Sequence, residues 1–313
     1  MPTAPNPHLP AGSRPSFDAY CIVDWSSSSV PKLGADSIWL AVFRREGHRS
    51  FVETLNCRTR QTLEEELTTR LRGPLARRRV LVGFDFPLGY PRGFAAALGY
   101  RGPRERCWMT IWRTLSELVR DGEDNTNNRF EVAAELNERV SGGFGPFFGR
   151  KARVSSQVAA HLSPKQRGSF EYPLQAASGA SLAKFREVDT RGKTASTAWF
   201  VYGGANSVGG QALVGIPRVA RLREAFPDSR VWPFETGARL PTRREARLVL
   251  AEVYPTLFHR RQDDGRVNDR EQVVATARAL AARDADGTLA QLFAAPGNDE
   301  AVLHEEGWIL GVT

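Results

Sequence analysis

Two aspartates in this sequence each end a run of apolar residues. Asp24 closes the run YCIVD, and Asp85 closes the run VLVGFD. Such runs are typical of buried strands, because an unpaired charge inside one is costly, whereas a carboxylate at the exposed end of the strand costs much less. If the two strands lie side by side, the carboxylates meet at one edge of the sheet. They repel each other there unless a divalent cation binds between them.

Two further acids extend this pattern. Glu252 ends the strand predicted over residues 248–255, and Asp269 lies at the start of a predicted helix. Four carboxylates at one sheet edge would hold one or two Mg²⁺ or Mn²⁺ ions, which are hard cations that take oxygen ligands. Two such ions about 4 Å apart activate water and stabilise the leaving oxygen in phosphodiester hydrolysis. We therefore predict that Asp24, Asp85, Glu252 and Asp269 are both catalytic and metal-binding residues.

Each of these acids also has a non-catalytic interpretation. Asp24 could cap the serine loop at 26–29, since aspartate side chains bind nearby backbone N–H groups. Asp85 could begin a turn before Phe-Pro. Glu252 could form a strand-end salt bridge with one of the many arginines, and Asp269 could be the N-cap of its helix.

Candidate substrate contacts come from a second group of residues. The glycine-rich loop at 203–210 lacks the Lys-Ser/Thr of a P-loop and the spacing of a dinucleotide fingerprint. Its amides could face an anion, and a tight packing turn is the alternative. We predict that Ser207 in this loop, Lys193 shortly before it and Arg129 contact the substrate. A solvated surface explains basic residues such as Lys193 and Arg186 equally well.

The elements that must position these residues begin with three strands, a helix and a fourth strand. Leucines at four-residue spacing predict the helix, and apolar runs or alternation predict the strands. These predictions cover strands at 19–24, 37–43, 50–55 and 79–84, with the helix at 60–72. The following segment mixes helices with loops, and the predicted elements after the fourth strand are helices at 130–139, 217–226 and 268–283 and strands at 230–234, 248–255 and 308–312.

This order matches the ribonuclease H-like fold, in which the first strand is central and the fourth lies beside it. We predict an α/β protein with a ribonuclease H-like mixed five-stranded sheet flanked by helices. One domain covers 17–313, with its core at 17–86 and 246–313. A large α-rich insertion at 87–245 separates the fourth and fifth core strands, and residues 1–16 are predicted to be a disordered tail.

The chain also resembles the family called domain of unknown function 429, which is grouped with the ribonuclease H-like superfamily. The resemblance spans 19–312 and depends on GFDFPLG at 83–89, EVYP at 252–255 and the helix that carries Asp269. It implies a nuclease-like site but no established substrate. Relatives often carry two acids near the start of the last helix, whereas here Asn268 precedes Asp269.

Composition limits the function classes. The 313 residues are 41% hydrophobic and 25% charged, as in ordinary soluble globular proteins. The net charge of +8 comes mostly from arginine and favours a polyanionic partner such as nucleic acid, although high genomic GC content produces the same bias. Three cysteines without CxxC spacing and five scattered histidines indicate neither a disulfide framework nor a zinc site. Without a signal peptide or a membrane-spanning run, we expect a cytoplasmic location and no membrane partner.

We therefore predict a divalent-metal-dependent phosphodiester hydrolase that acts on nucleic acid with Mg²⁺ or Mn²⁺. An ATP-dependent phosphotransferase of the sugar kinase and actin-like class is an alternative, because Asp24 and its serine loop resemble that class's first phosphate loop. The absence of a second such loop disfavours it. A non-catalytic nucleic-acid-binding protein is the third possibility.

Overall fold

A computed structural model describes residues 15–47, 49–191, 196–204, 207–259 and 267–313. Within these ranges it contains nine strands: β1 (Ala19–Asp24), β2 (Ile38–Glu46), β3 (Arg49–Cys57), β4 (Val80–Phe84), β5 (Leu174–Gln175), β6 (Ser181–Leu182), β7 (Ser229–Val231), β8 (Leu248–Val253) and β9 (Ile309–Leu310).

Eight α-helices accompany these strands in the described ranges: α1 (Arg60–Arg72), α2 (Phe94–Ala97), α3 (Cys107–Leu118), α4 (Arg129–Ser141), α5 (Ser156–His161), α6 (Val208–Ala225), α7 (Asn268–Ala285) and α8 (Leu289–Ala294). The longest, α6 and α7, have 18 residues each. Neither these two nor any shorter helix that the structure describes is long and apolar enough to cross a membrane.

Seven of the strands form one mixed sheet in the order β3-β2-β1-β4-β8-β7, with β9 also paired to β8. The strands β1, β2 and β3 are antiparallel neighbours, whereas β4 is parallel to both β1 and β8. The predicted α/β class with a mixed sheet and flanking helices is confirmed. The sheet has more than five strands because β7 pairs with the first half of β8 and β9 with its end.

The two faces of this sheet carry separate cores, which strand alternation assigns. In β1, Cys21 and Val23 pack with α1, α3 and α6, whereas Tyr20 and Ile22 pack with α7 and α8. The strand β4 repeats the alternation, since Phe84 belongs to the first core and Leu81 to the second. We call these the α6 face and the α7 face.

Local sequence explains α1 well. Thr59 caps its start by accepting a hydrogen bond from the backbone N–H of Thr62, and Gly73 follows its end. Leu63, Leu67 and Leu71 are buried, as four-residue spacing along one helix face requires. The observed bounds are those predicted from the sequence.

The helix α6 begins at Val208, nine positions before the predicted start, and Pro217 lies inside it. Its early glycines lower helix propensity but allow close packing. A Cβ atom at Gly209 would lie 2.3 Å from the carbonyl oxygen of Ala198, and one at Gly215 would lie 2.4 Å from Cζ of Phe86. Tertiary packing therefore overrides local propensity here, and the predicted helix at 217–226 is too short.

The start of the described chain packs against α7. The backbone N–H groups of Ser16 and Phe17 donate to the two carboxylate oxygens of Asp284, each at 2.8 Å, and Phe17 is buried. Residues 1–14 of the predicted tail lie outside the described residues.

Candidate functional site

Asp24 and Asp85 are neighbours at the carboxyl edge of the central strands. Val23 pairs with Phe84 in parallel register, and the N–H of Asp85 donates to the Val23 carbonyl at 3.0 Å. The backbones of Asp24 and Asp85, the next residue on each strand, therefore lie about 4.8 Å apart, which is the spacing of neighbouring strands. Trp25 and Phe86 both pack into the α6-face core, with ring centroids 5.3 Å apart, as do Val23 and Phe84. Asp24 lies between Val23 and Trp25, and Asp85 between Phe84 and Phe86, so alternation assigns both aspartates to the α7 face.

The electrostatics of this pair are those of uncompensated like charges. Burial, together with the charges of Glu252 and Asp269, raises the pKa of Asp85 to about 7. Burial also raises the pKa of Asp24 well above its usual range, with added contributions from Asp85 and Asp269. No described side chain donates a hydrogen bond to either carboxylate. Both groups therefore retain acceptor capacity that the described part of the protein does not satisfy.

Asp269 approaches the same edge from the start of α7. Its Oδ2 accepts a hydrogen bond of 2.6 Å from the N–H of Asp36, in the loop before β2. Burial and the Asp36 charge raise the pKa of Asp269, whereas the loop amides and Lys32 oppose the shift. The residue lies inside the helix rather than at its N-cap, and the preceding Asn268 has a buried Oδ1 with no described partner.

Glu252 lies on the other face of the sheet. It pairs in register with Phe84 rather than with Asp85, so alternation assigns it to the α6 face. Its buried carboxylate accepts 2.7 Å hydrogen bonds from Nη1 and Nη2 of Arg186 and a 3.1 Å bond from the N–H of Leu88. Burial raises the pKa of Glu252, and Arg186 opposes the rise. This geometry is the strand-end salt bridge that the sequence allowed as an alternative.

Arg186 is the centre of a buried ion cluster that sequence reasoning did not find. Besides Glu252, its guanidinium donates to Asp189, at 3.1 Å from Nε and 2.9 Å from Nη2, and to the Glu306 carbonyl at 3.1 Å. These bonds occupy all five guanidinium N–H groups. In sequence Arg186 stands on a polar segment, and nothing local distinguishes it from a surface arginine.

Arg129 serves the protein's own loops. It is buried and donates to Ser29 Oγ at 2.8 Å, to Asn127 Oδ1 at 2.9 Å and to the Val201 carbonyl at 3.2 Å. Burial and the charge of Arg60 together lower the pKa of Arg129 to about 10. The structure thus places this predicted substrate contact beneath the serine loop that follows Asp24.

Ser207 is also engaged within the chain. It is buried, its hydroxyl accepts from the N–H of Gly203 at 2.7 Å, and it donates to the Phe200 carbonyl at 3.1 Å. These bonds organise the loop before α6. Lys193, the third predicted substrate contact, lies outside the described residues.

The side-chain oxygen atoms at this edge of the sheet are of the kind that bind a hard cation. The carboxylates of Asp24, Asp85 and Asp269 and the amide oxygen of Asn268 are all oxygen ligands, which Mg²⁺ and Mn²⁺ prefer. Within the described ranges, however, no three acidic, histidine or cysteine side chains lie close enough together to form a finished metal site.

Two cavities lie near these elements. One of about 280 Å³ opens beside Asp85 and is also lined by Glu252 and Arg186. A larger groove of about 640 Å³ lies between α3 and α6, where Trp108 and Met109 line it, and none of the four predicted acids contributes to it. Of these two cavities, only the smaller lies beside the predicted acidic residues.

These features define an α/β protein with acidic residues at the carboxyl edge of a mixed sheet. Comparison of the chain with protein-family models, with curated proteins and with solved structures found no match. The function must therefore be inferred from the chemistry of the site.

Proposed function

We propose that this protein is a divalent-metal-dependent phosphodiester hydrolase that acts on nucleic acid. The observation that carries the proposal is the juxtaposition of Asp24 and Asp85 on adjacent parallel strands without a described cationic partner. Two half-buried carboxylates in this arrangement destabilise the metal-free fold, and a divalent cation would remove their repulsion. Asp269 adds a third oxygen ligand from the start of α7.

The strand order supports a ribonuclease H-like interpretation of the fold. The path β3-β2-β1-β4-β8 has antiparallel pairing in the first three strands and parallel pairing in the last three, which supports the assignment of these strands as the five core strands of that fold. On this proposal residues 87–245 are the insertion.

The proposed roles follow from position. Asp24, Asp85 and Asp269 would hold Mg²⁺ or Mn²⁺, which when bound activates water and stabilises the leaving oxygen. The three carboxyl groups must be ionised to bind the ion. Glu252 acts as a positioning residue, because its bonds to Arg186 and to the N–H of Leu88 hold the loop that follows Asp85.

The test is a hydrolysis assay on single-stranded, duplex and hybrid oligonucleotides with Mn²⁺, Mg²⁺ or EDTA. We expect metal-dependent cleavage that falls at least about a hundredfold in Asp24→Asn and in Asp85→Asn, since each substitution removes a ligand charge. Glu65→Gln, at an exposed position on α1, is the matched control and should leave cleavage unchanged. Full activity in both aspartate variants would overturn the proposal.

A further inference from the structure

The cavity beside Asp85 combines an apolar wall with an acidic floor. Phe86, Val253 and Val312 contribute apolar surface, and Tyr254 and Leu257 lie at the end of β8 beside them. Tyr254 is half-buried and Leu257 is 45% exposed, so both are accessible to a ligand that enters from solvent. Such a wall favours a flat apolar group over a hydrated one.

The charge of the cavity excludes an anion. Arg186 is its buried cation, but Asp189, Glu252 and a carbonyl oxygen use all of its N–H groups. The guanidinium therefore has no donor left for a phosphate. Two carboxylates around one guanidinium leave a net negative charge when ionised. A phosphate is repelled, whereas a neutral group is not.

The floor also offers hydrogen-bond acceptors. Glu252 Oε1 and Asp189 Oδ1 each accept one bond from Nη2 of Arg186, at 2.7 and 2.9 Å. A carboxylate oxygen can accept two hydrogen bonds, so each retains one lone pair for a donor. The complementary ligand is therefore a neutral, flat ring that carries N–H groups.

We propose that this cavity binds a single unpaired nucleobase of the substrate and thereby places the adjoining phosphate at Asp24 and Asp85. The inference rests on the proposed function. A volume of about 280 Å³ lies just below the roughly 300–1,000 Å³ of sites for drug-sized ligands, so the cavity has room for one base. The preferred substrate is accordingly single-stranded nucleic acid or a frayed end.

The first experiment measures nucleoside binding to the metal-free protein by calorimetry, with adenosine, cytidine and ribose 5-phosphate as probes. We expect both nucleosides to bind at least about tenfold more tightly than the sugar phosphate, because the cavity repels anions. Equal binding of the three probes, or no nucleoside binding, would overturn the inference.

Substitutions at the cavity test whether nucleosides bind there. Leu257→Trp would fill the cavity mouth and Tyr254→Ala would remove a stacking surface, so each should weaken nucleoside binding about tenfold. Met109→Trp, in the groove between α3 and α6, is the matched control and should have no effect. Thermal unfolding verifies that all three variants fold. Unchanged binding in both cavity variants would show that nucleosides bind elsewhere and would reject the assignment.

Asp24→Asn separates this inference from the proposed function. Asp24 does not line the cavity, so the variant should retain nucleoside affinity while losing hydrolysis. Nucleoside binding in a wild-type protein that cleaves no diester would reject the proposed function and leave the cavity assignment standing. Cleavage of bis(4-nitrophenyl) phosphate without nucleoside binding would reject only the cavity assignment.

Discussion

The acids at the carboxyl edge of the sheet differ in whether the protein compensates their charge. Asp24 and Asp85 have no described side-chain donor, and burial and neighbouring carboxylates raise the pKa of each. Glu252 lies one register step away and receives three hydrogen bonds, two of them from a buried guanidinium. The first two residues are consequently available to a ligand, whereas the third is committed to the fold.

This difference predicts how stability changes with pH at Asp85. Its pKa rises from 3.8 to about 7 on folding, so between these values the folded state keeps a proton that the unfolded state has lost. The metal-free protein therefore loses stability as pH rises from about 4 to 7, and Asp85→Asn should remove the part of that loss that comes from Asp85. We expect the variant to be more stable than the wild type by on the order of 4 kcal/mol at pH 8, measured by urea unfolding in EDTA.

Low pH provides the control for Asp85→Asn. At pH 3, where Asp85 is largely protonated in both the folded and the unfolded state, the variant and the wild type should be nearly equal in stability. If Asp85→Asn instead destabilises the protein at pH 8, the Asp85 carboxylate has a cationic partner within the protein and is not free to bind a metal ion.

Glu252→Gln should change stability in the opposite direction. The substitution leaves Arg186 buried beside Asp189 alone, and breaking a buried ion pair typically costs about 3–5 kcal/mol. Urea unfolding at pH 7 measures the loss. Glu245→Gln, which breaks the exposed pair with Arg239, is the matched control and should have little effect. A stabilising effect of Glu252→Gln would mean that the carboxylate is not compensated.

At the scale of elements, α6 controls the position of the residue that follows Asp85. The Phe86 ring lies so close to Gly215 that an added Cβ would be 2.4 Å from Cζ and 2.6 Å from Cε2. An aromatic ring held between sheet and helix cannot yield without moving the backbone to which Asp85 belongs.

Gly215→Ala should therefore destabilise the protein by about 1–3 kcal/mol, as overpacking does, and reduce any hydrolytic activity. Gly143→Ala is the matched control, because its Cβ would meet nothing within 4 Å, and its effect should be within about 0.5 kcal/mol of zero. Thermal unfolding and the oligonucleotide assay provide the measurements. Equal effects of the two substitutions would show that the Phe86 contact does not constrain the site.

The same elements show which features the sequence could predict. The bounds of β1 and α1 were predictable because apolar runs and leucine spacing are local signals. The early start of α6 was not, since its glycines are required by contacts with Ala198 and Phe86 that are distant in sequence.

The face of the sheet on which Glu252 lies could not be predicted from the sequence either. A register shift of one residue between β4 and β8 decides whether Glu252 lies on the same face as Asp85. Because β8 is apolar on both faces, its sequence has no alternation from which that register could be predicted. The convergence of Asp24 and Asp85 needed only the neighbouring positions of β1 and β4, which the order of elements already indicated.

For the whole molecule, the net charge of +8 predicts how binding responds to salt. With Ca²⁺ in place of Mn²⁺ to limit cleavage, the affinity for a single-stranded oligonucleotide should fall at least about tenfold between 50 and 200 mM NaCl, because bound cations are released from the phosphates. Fluorescence anisotropy measures the slope. The affinity for adenosine should not change over the same range, and an oligonucleotide affinity that is equally insensitive to salt would contradict a phosphate-binding surface.

The pairing of β4 with β8 has a consequence for the order of folding. These neighbours in the sheet are separated in the chain by all residues from 85 to 247, whereas β1, β2, β3, α1 and β4 follow one another directly. Local pairings form before distant ones, since closing a long loop costs entropy first. Asp24 and Asp85 are therefore expected to become neighbours while water still surrounds them and screens their repulsion. The chain can thus form its least favourable contact at the stage of folding at which that contact costs least, and β8 and α7 bury it afterwards.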